Sequence, residues 1–188
     1  MTASQTISRS RLSRDERMRQ SVSVARALFA EHGYAAVTMD AVAAEMGVTK
    51  PLLYTYFGNK EQLYVACMEP AGDALLASIV KAVEATATPD AALRAGLLAF
   101  FDFVDQDRSA WRVLFDETLP ASGEVAARVG EYRERLNALI AAALLDQLPA
   151  RRRSKAKVEV EALSTALMAA AEGLARWWLR TEALSSAA

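Results

Sequence analysis

The chain has little of what most catalytic and metal-binding sites are built from. Its 188 residues include one cysteine, Cys67, and one histidine, His32. A single cysteine excludes an intramolecular disulfide, and its helical spacing with Leu63 predicts a core position rather than a redox sensor. A lone histidine lacks the neighbours that a metal site needs, so we expect His32 to lie near the last carbonyls of a helix. With no paired nucleophile and base visible, an enzyme is the weaker alternative and no cofactor is expected.

Glycine and proline are also scarce, at eight and five residues, and β-branched residues do not alternate along the chain. An alanine- and leucine-rich sequence of this kind predicts an all-α protein. The N-terminus carries arginines but no apolar segment of the signal-peptide type. No apolar run reaches the ~18 residues that cross a bilayer. We therefore expect a cytoplasmic protein with no membrane partner.

The net charge is only −1, but it is unevenly distributed. Residues 1–60 hold eight basic and five acidic side chains, a net charge of +3, which leaves −4 for the remainder. A basic end on an acidic body suits contact with phosphates at one end only.

Residues 38–63 (TMDAVAAEMGVTKPLLYTYFGNKEQL) have the spacing of a helix-turn-helix followed by the start of a third helix. Thr38 is a good N-cap for the first helix, and Gly47 permits the left-handed backbone that ends it. Thr49 can cap the second helix, with Pro51 in its first turn, where a missing N–H costs little. Asn59 with Gln62 fits a capping box for the next helix. Two short helices around a glycine also occur in proteins that bind no nucleic acid, so the spacing alone leaves both interpretations open.

The order of residues within this stretch is more specific. Residues 47–63 (GVTKPLLYTYFGNKEQL) resemble the signature of the tetracycline-repressor (TetR) family of transcription regulators, and residues 29–34 (FAEHGY) and 38–43 (TMDAVA) resemble the same family's first two helices. The resemblance covers about the first third of the chain. Pro51, Leu52 and Thr55 depart from residues frequent in the family, so the base preference cannot be transferred from a better-known relative. The resemblance implies that double-stranded DNA is a partner.

Leu53 and Phe57 are four residues apart and are expected to pack inward. We expect Tyr54, Tyr56, Thr38 and Lys60 to contact phosphates, which fixes register and affinity. Base edges are then left to Lys50, which can donate to guanine, and to its exposed neighbours. The full set of expected DNA-binding residues is Thr38, Thr49, Lys50, Pro51, Leu52, Tyr54, Thr55, Tyr56 and Lys60.

The periodicity predicts a flexible arm at 1–12, a helix-turn-helix domain at 13–58 and a helical domain at 59–188, and the family resemblance implies that this last domain serves effector binding and dimerisation. Outside the helix-turn-helix itself, helices are expected at 13–32 (ending at Gly33), 59–86, 89–104, 108–115, 124–148 and 155–181. The arginine run at 151–153 is expected in a solvated loop. We expect Pro70 to kink the long helix that connects the two domains.

The family resemblance implies that the second domain encloses a pocket for a small, largely apolar molecule. Each bulky residue there is individually more typical of core packing than of a ligand contact. The candidate lining residues are Phe101, Trp111, Phe115, Met168, Glu172 and Trp177. For Glu172, inside an apolar run, an ion pair with Arg176 is favoured over a ligand contact.

The last helix is the leading candidate for a homodimer interface, because small residues and an apolar stripe share one face. The stripe is Leu163, Leu167, Ala170, Leu174 and Trp178. Relatives pair two C-terminal helices from each subunit, so either the helix at 124–148 is the second partner or a further family helix is absent.

The sequence thus predicts a TetR-like regulator, most simply a repressor released from a palindromic operator by an effector. Besides the enzyme, one rival remains, namely an architectural module that uses the same helices without a ligand. A thermal shift with small apolar ligands and the salt dependence of DNA binding separate the two.

Overall fold

The computed structural model describes residues 13–181, and all regular secondary structure in that range is helical. The all-α prediction is therefore confirmed. The helices are α1 (Arg14–Ala36), α2 (Met39–Met46), α3 (Lys50–Phe57), α4 (Lys60–Glu84), α5 (Pro89–Gln106), α6 (Arg108–Leu114), α7 (Glu124–Asp146), α8 (Ala150–Arg153) and α9 (Lys157–Thr181). The arm expected at 1–12 lies outside the described residues.

The first helix begins and breaks at residues with clear physical reasons. The Ser13 hydroxyl accepts a hydrogen bond from the N–H of Glu16, whose carboxylate accepts one from the N–H of Ser13, and this capping box starts α1. Gly33 has a φ of 78° and interrupts the helical geometry where the sequence predicted a stop. Between them, Ala25 and Phe29 face the core.

Side chains cap the starts of α2 and α4, but not the start of α3. Thr38 Oγ1 accepts from the N–H of Ala41 at 3.1 Å, and Asn59 Oδ1 accepts from the N–H of Gln62 at 2.8 Å, which is one half of the predicted capping box. Thr49 occupies the N-cap position of α3, but its hydroxyl makes no capping bond. The prediction that Thr49 caps α3 through its side chain is wrong, and its hydroxyl stays available for other partners.

The central element is α4, which packs against α1, α5, α6 and α7. It continues through Pro70 as one helix. By length and composition alone α4 could cross a membrane, although charged residues such as Glu69 and Asp73 interrupt its apolar runs. Of its most apolar stretch, 56% is buried inside the protein, as in the core helix of a water-soluble fold.

The body is completed by α5 to α9, and α7 packs directly on α9. The arginine run forms the short helix α8, so the prediction of a loop there is wrong. The reason is local, because Arg153 ion-pairs with Asp146 at 3.0 Å and its Nε donates to the carbonyl of Leu148 at 3.1 Å. These bonds tie α8 back onto the end of α7.

One hydrophobic core joins α1–α3 to the body, and Tyr64 lies at its centre. The Tyr64 ring is 4.8 Å from that of Phe29 and 5.0 Å from that of Tyr34, both edge-on. Its hydroxyl donates to the carbonyl of Val113 at 2.6 Å. Cys67, one turn along α4, is 1% exposed, and burial raises the pKa of its thiol to about 12. The core role predicted for Cys67 is confirmed.

Candidate nucleic-acid interface and effector cavity

The turn between α2 and α3 sets how far α3 projects from the protein. Gly47 ends α2 with a φ of 65°, and the N–H of Val48 donates to the carbonyl of Ala43 at 3.0 Å. This left-handed position favours glycine, because a side chain there would strain the backbone. Leu53 and Phe57 then anchor α3 in the core at 0% and 7% exposure, as predicted, and the opposite face of α3 points outward.

The predicted DNA-binding residues lie on and beside this outward face. Leu52, Tyr56 and Lys60 are partly buried. The remaining members are exposed, namely Thr38, Thr49, Lys50, Pro51, Tyr54 and Thr55. The Thr55 hydroxyl donates to the carbonyl of Pro51 at 2.8 Å, so it offers DNA an acceptor more readily than a donor.

Lys50 is not free in this structure. Its Nζ donates to Asp40 Oδ2 at 2.7 Å, and it lies 6.0 Å from the centre of the Tyr54 ring. The hydrogen bond that Lys50 donates to Asp40 raises the pKa of Lys50, so the ammonium stays charged. Sequence reasoning missed Asp40, because the pair joins two helices across a turn.

Two further cations stand on aromatic rings of the first helices. The Arg14 guanidinium lies 6.0 Å from the centre of the Tyr56 ring, which adds an unpredicted cation to the outward face. Lys60 Nζ lies 4.3 Å from the centre of the Tyr34 ring. Burial lowers the pKa of Lys60 against the opposing effect of Asp116. Lys60 therefore faces the junction with the body as well as solvent.

That junction is made by residues 115–123, the segment that joins α6 to α7. Asp116 accepts a hydrogen bond from the N–H of Tyr34 at 2.5 Å, and Thr118 Oγ1 accepts one from the N–H of Ala35 at 3.1 Å. Glu61, at the start of α4, accepts from the N–H of Glu124 at 3.0 Å, at the start of α7. The 115–123 segment thus satisfies backbone donors near the end of α1, while α4 satisfies one where that segment ends.

A small apolar cavity lies in the body between α4, α6 and α7. Its volume is about 10 Å³, roughly the space one water molecule needs. It is lined by Met68, Gly72, Leu75, Leu114, Phe115, Val129, Tyr132, Arg133 and Leu136. Of the lining residues predicted from the sequence, this set includes Phe115. The others were missed because only the tertiary packing of three helices brings them together.

The remaining predicted lining residues occupy other environments. Trp111 stacks on Phe115 with ring centres 3.9 Å apart, and Phe101 packs on Trp178 at 6.2 Å. Met168 is buried, whereas Trp177 is 47% exposed. Trp178, a member of the predicted dimer stripe on α9, is half-buried and packs on Phe101.

Glu172 is 7% exposed and is the shared partner of two arginines. Its Oε2 lies 3.3 Å from Arg176, which confirms the expected i,i+4 pair, and 3.0 Å from Arg133 at the edge of the cavity. Burial raises the pKa of Glu172, while Arg133 and Arg176 lower it. Arg176 also pairs with Glu117 at 2.9 Å, within the segment that contacts α1. Charged contacts thus run from the cavity edge to the junction.

The cavity wall predicts an effect of Gly72→Ala. A Cβ at Gly72 would lie 2.5 Å from Cε1 of Tyr132, so the ring has to move. We expect a loss of about 1–3 kcal/mol in the free energy of unfolding from overpacking, measured by urea denaturation. Gly130→Ala is the matched control, because a Cβ there meets no atom within 4 Å. A Gly72→Ala variant as stable as the control contradicts the close packing of Tyr132.

Two family profiles match the chain. One, described as bacterial regulatory proteins of the tetR family, matches residues 22–67, and a tetracyclin repressor-like C-terminal domain matches residues 89–188. Among curated proteins, the HTH-type transcriptional activator FasR of Mycolicibacterium smegmatis is 38% identical over 119 residues, covering 63% of this chain and 54% of FasR. The chain spans about half the length of the curated relatives it matches.

Solved structures agree with these matches. A TetR-like transcriptional regulator from Rhodococcus sp. RHA1 is 31% identical, with a TM-score of 0.70 over 88% of this chain and 85% of that one. AibR, solved in complex with isovaleryl coenzyme A and operator DNA, is 23% identical, with a TM-score of 0.67 over 86% of this chain and 87% of AibR. At 23% identity, the match shows that this chain and AibR share a fold.

Proposed function

Because the chain belongs to the TetR family of bacterial regulatory proteins, we propose that this transcriptional regulator binds a palindromic operator as a homodimer and is released by a small-molecule effector. The observation that carries the proposal is the outward face of α3. Leu53 and Phe57 hold the helix by its inner side, so Lys50, Tyr54 and Thr55 remain exposed for a DNA groove.

We assign roles on this face by side-chain chemistry. Tyr54, Tyr56 and Thr38 contact phosphates, and Lys60 joins them by leaving the Tyr34 ring. Residues at the start of α3, where Pro51 lies in the first turn, contact the base edges. The base-reading residues are Thr49, Lys50, Leu52 and Thr55. We assign this reading head to residues 13–58 and effector binding and dimerisation to 59–188.

The homodimer is supported by an uncovered apolar stripe on α9. Leu163, Leu167, Leu174 and Trp177 are between 36% and 54% exposed and follow one another at intervals of four, seven and three residues, which keeps them on one helical face. The packing of α7 on α9 supports α7 as the second interface helix. Two such pairs would form a four-helix bundle, and the two α3 helices would then enter successive major grooves about 34 Å apart.

We place the effector in the cavity beside Tyr132. The present volume admits no ligand, so binding requires a body with α4, α6 and α7 further apart. An effector that binds only the expanded body shifts the population toward the expanded state. The distance between the two DNA-binding domains of the dimer then changes and no longer fits the operator. AibR, of the same fold, is solved with isovaleryl coenzyme A and operator DNA. We expect a largely apolar effector and a cytoplasmic protein bound to the nucleoid.

Repression is the output we propose, since release by an effector then induces transcription. The relative FasR is named a transcriptional activator, which favours activation as the second candidate. A reporter gene placed behind the selected operator separates the two, because deletion of the regulator raises expression under repression and lowers it under activation.

The roles assigned to Tyr56 and Lys50 predict different effects of Tyr56→Ala and Lys50→Ala on DNA binding. Loss of a phosphate contact should weaken binding to all duplexes alike, whereas loss of Lys50 should also change the preferred sequence by about 1–3 kcal/mol at one base pair. Binding-site selection from random DNA followed by titration measures both. Tyr56→Phe is the matched control for the hydroxyl. An unchanged preference in Lys50→Ala contradicts its base-reading role, and a wild type that selects no duplex contradicts the proposed function.

A further inference from the structure

The ion pair between Asp40 and Lys50 spans the two helices of the reading head. Asp40 lies in the first turn of α2 and Lys50 begins α3, and their charged atoms are 2.7 Å apart. The side chains are 66% and 47% exposed. The pair thus lies on the surface proposed to meet DNA.

Such an exposed pair contributes little to fold stability, so its main effect lies elsewhere. A paired lysine adds no net charge to the DNA-binding surface, and the Tyr54 ring at 6.0 Å further limits where its ammonium can go. To reach a phosphate, Lys50 must leave Asp40, and the carboxylate is then left near the negatively charged backbone. Both steps oppose binding to any DNA.

We propose that Asp40 is a specificity-determining residue, which holds Lys50 back from phosphates and so weakens binding to DNA that lacks the operator sequence. On the operator, a guanine O6 and N7 can replace the carboxylate as acceptors for Lys50, which offsets the broken pair. On other sequences nothing replaces it. Specificity is a difference between two affinities, and Asp40 raises it by penalising the wrong partner.

This inference rests on the proposed DNA binding, and its test uses the full chain with Asp40→Asn. Fluorescence anisotropy measures binding to a duplex selected from random DNA and to a scrambled duplex of equal length, over a range of salt concentrations. We expect the scrambled duplex to bind about two- to tenfold more tightly and the selected duplex to change less. The slope of log K against log salt on the scrambled duplex should steepen by about 0.9, the value for one more neutralised phosphate.

Two controls separate this mechanism from a simple change in net charge. Glu45→Gln removes an equal charge from the same helix. Glu45 has no ion pair within the part of the chain that the structure describes, so this change should leave the ratio of affinities unchanged. In a Lys50→Gln background, Asp40→Asn should tighten binding to both duplexes alike, as removal of a carboxylate near phosphates does, and leave the ratio of affinities unchanged, because there is no lysine to release. Asp40→Glu keeps the charge and should retain the wild-type ratio.

The outcomes are distinct. A change in the ratio of affinities on Asp40→Asn that persists without Lys50, or that Glu45→Gln reproduces, overturns the role of the pair. A wild type that selects a duplex while Asp40→Asn leaves the ratio unchanged overturns this inference alone. A wild type that binds no duplex overturns the DNA-binding proposal together with it.

Discussion

Replacing Tyr64 by alanine is expected to lower the free energy of unfolding by about 3–5 kcal/mol, the cost typical of removing a buried aromatic side chain. Tyr64 is fully buried, and its ring contacts both Phe29 and Tyr34. These rings join the first helices to the body. Removal of the Tyr64 ring would therefore leave a new cavity at the junction itself. Urea denaturation at fixed protein concentration measures the loss, because a dimer's stability depends on concentration.

Tyr64→Phe separates the ring from the hydroxyl. The phenylalanine keeps the ring contacts and loses the bond to the carbonyl of Val113, so we expect it to cost about 0.5–1.5 kcal/mol. If Tyr64→Ala costs no more than Tyr64→Phe, the ring does not hold the junction together.

The second large effect is expected from Leu167→Glu combined with Leu174→Glu. In the proposed dimer this double substitution puts four carboxylates into an apolar interface, at several kcal/mol of desolvation. We expect the dimer to dissociate at micromolar concentrations. Operator affinity should then fall by about 100-fold or more, because each head binds its half-site alone. Analytical ultracentrifugation and DNA titration measure the two effects.

A single new charge on the other side of α9 serves as the control. Thr165 is exposed and lies opposite Leu163 and Leu167 on the helix, at 100° per residue. Thr165→Glu should leave both dimerisation and operator binding intact. A double variant that remains dimeric would show that α9 pairs through another face.

The helices and their caps could be predicted from the sequence because the signals are local. Thr38 and Asn59 cap within three residues of themselves, and Gly33 breaks α1 through its own backbone. The outward face of α3 followed from the spacing of Leu53 and Phe57. The prediction for Thr49 failed because a residue suited to capping need not form the bond.

What could not be predicted depends on contacts between distant residues. The cavity needs α4, α6 and α7 together, and the periodicity of one helix carries no signal for the others. Trp177 and Trp178 are adjacent, and only the position of Phe101 on α5 decides which ring is covered. The Asp40–Lys50 pair likewise depends on the angle between α2 and α3.

The hydrogen bonds at the junction bear on how such proteins could be recombined. Asp116 and Thr118 hold the end of α1, and Glu61 holds the start of α7. A chimaera that takes only residues 13–58 from a relative would keep a loop made to fit another helix end. Grafting a new DNA specificity onto this body should therefore disturb the junction least when residues 115–123 are transplanted along with the head, so that the unit of exchange is discontinuous in sequence.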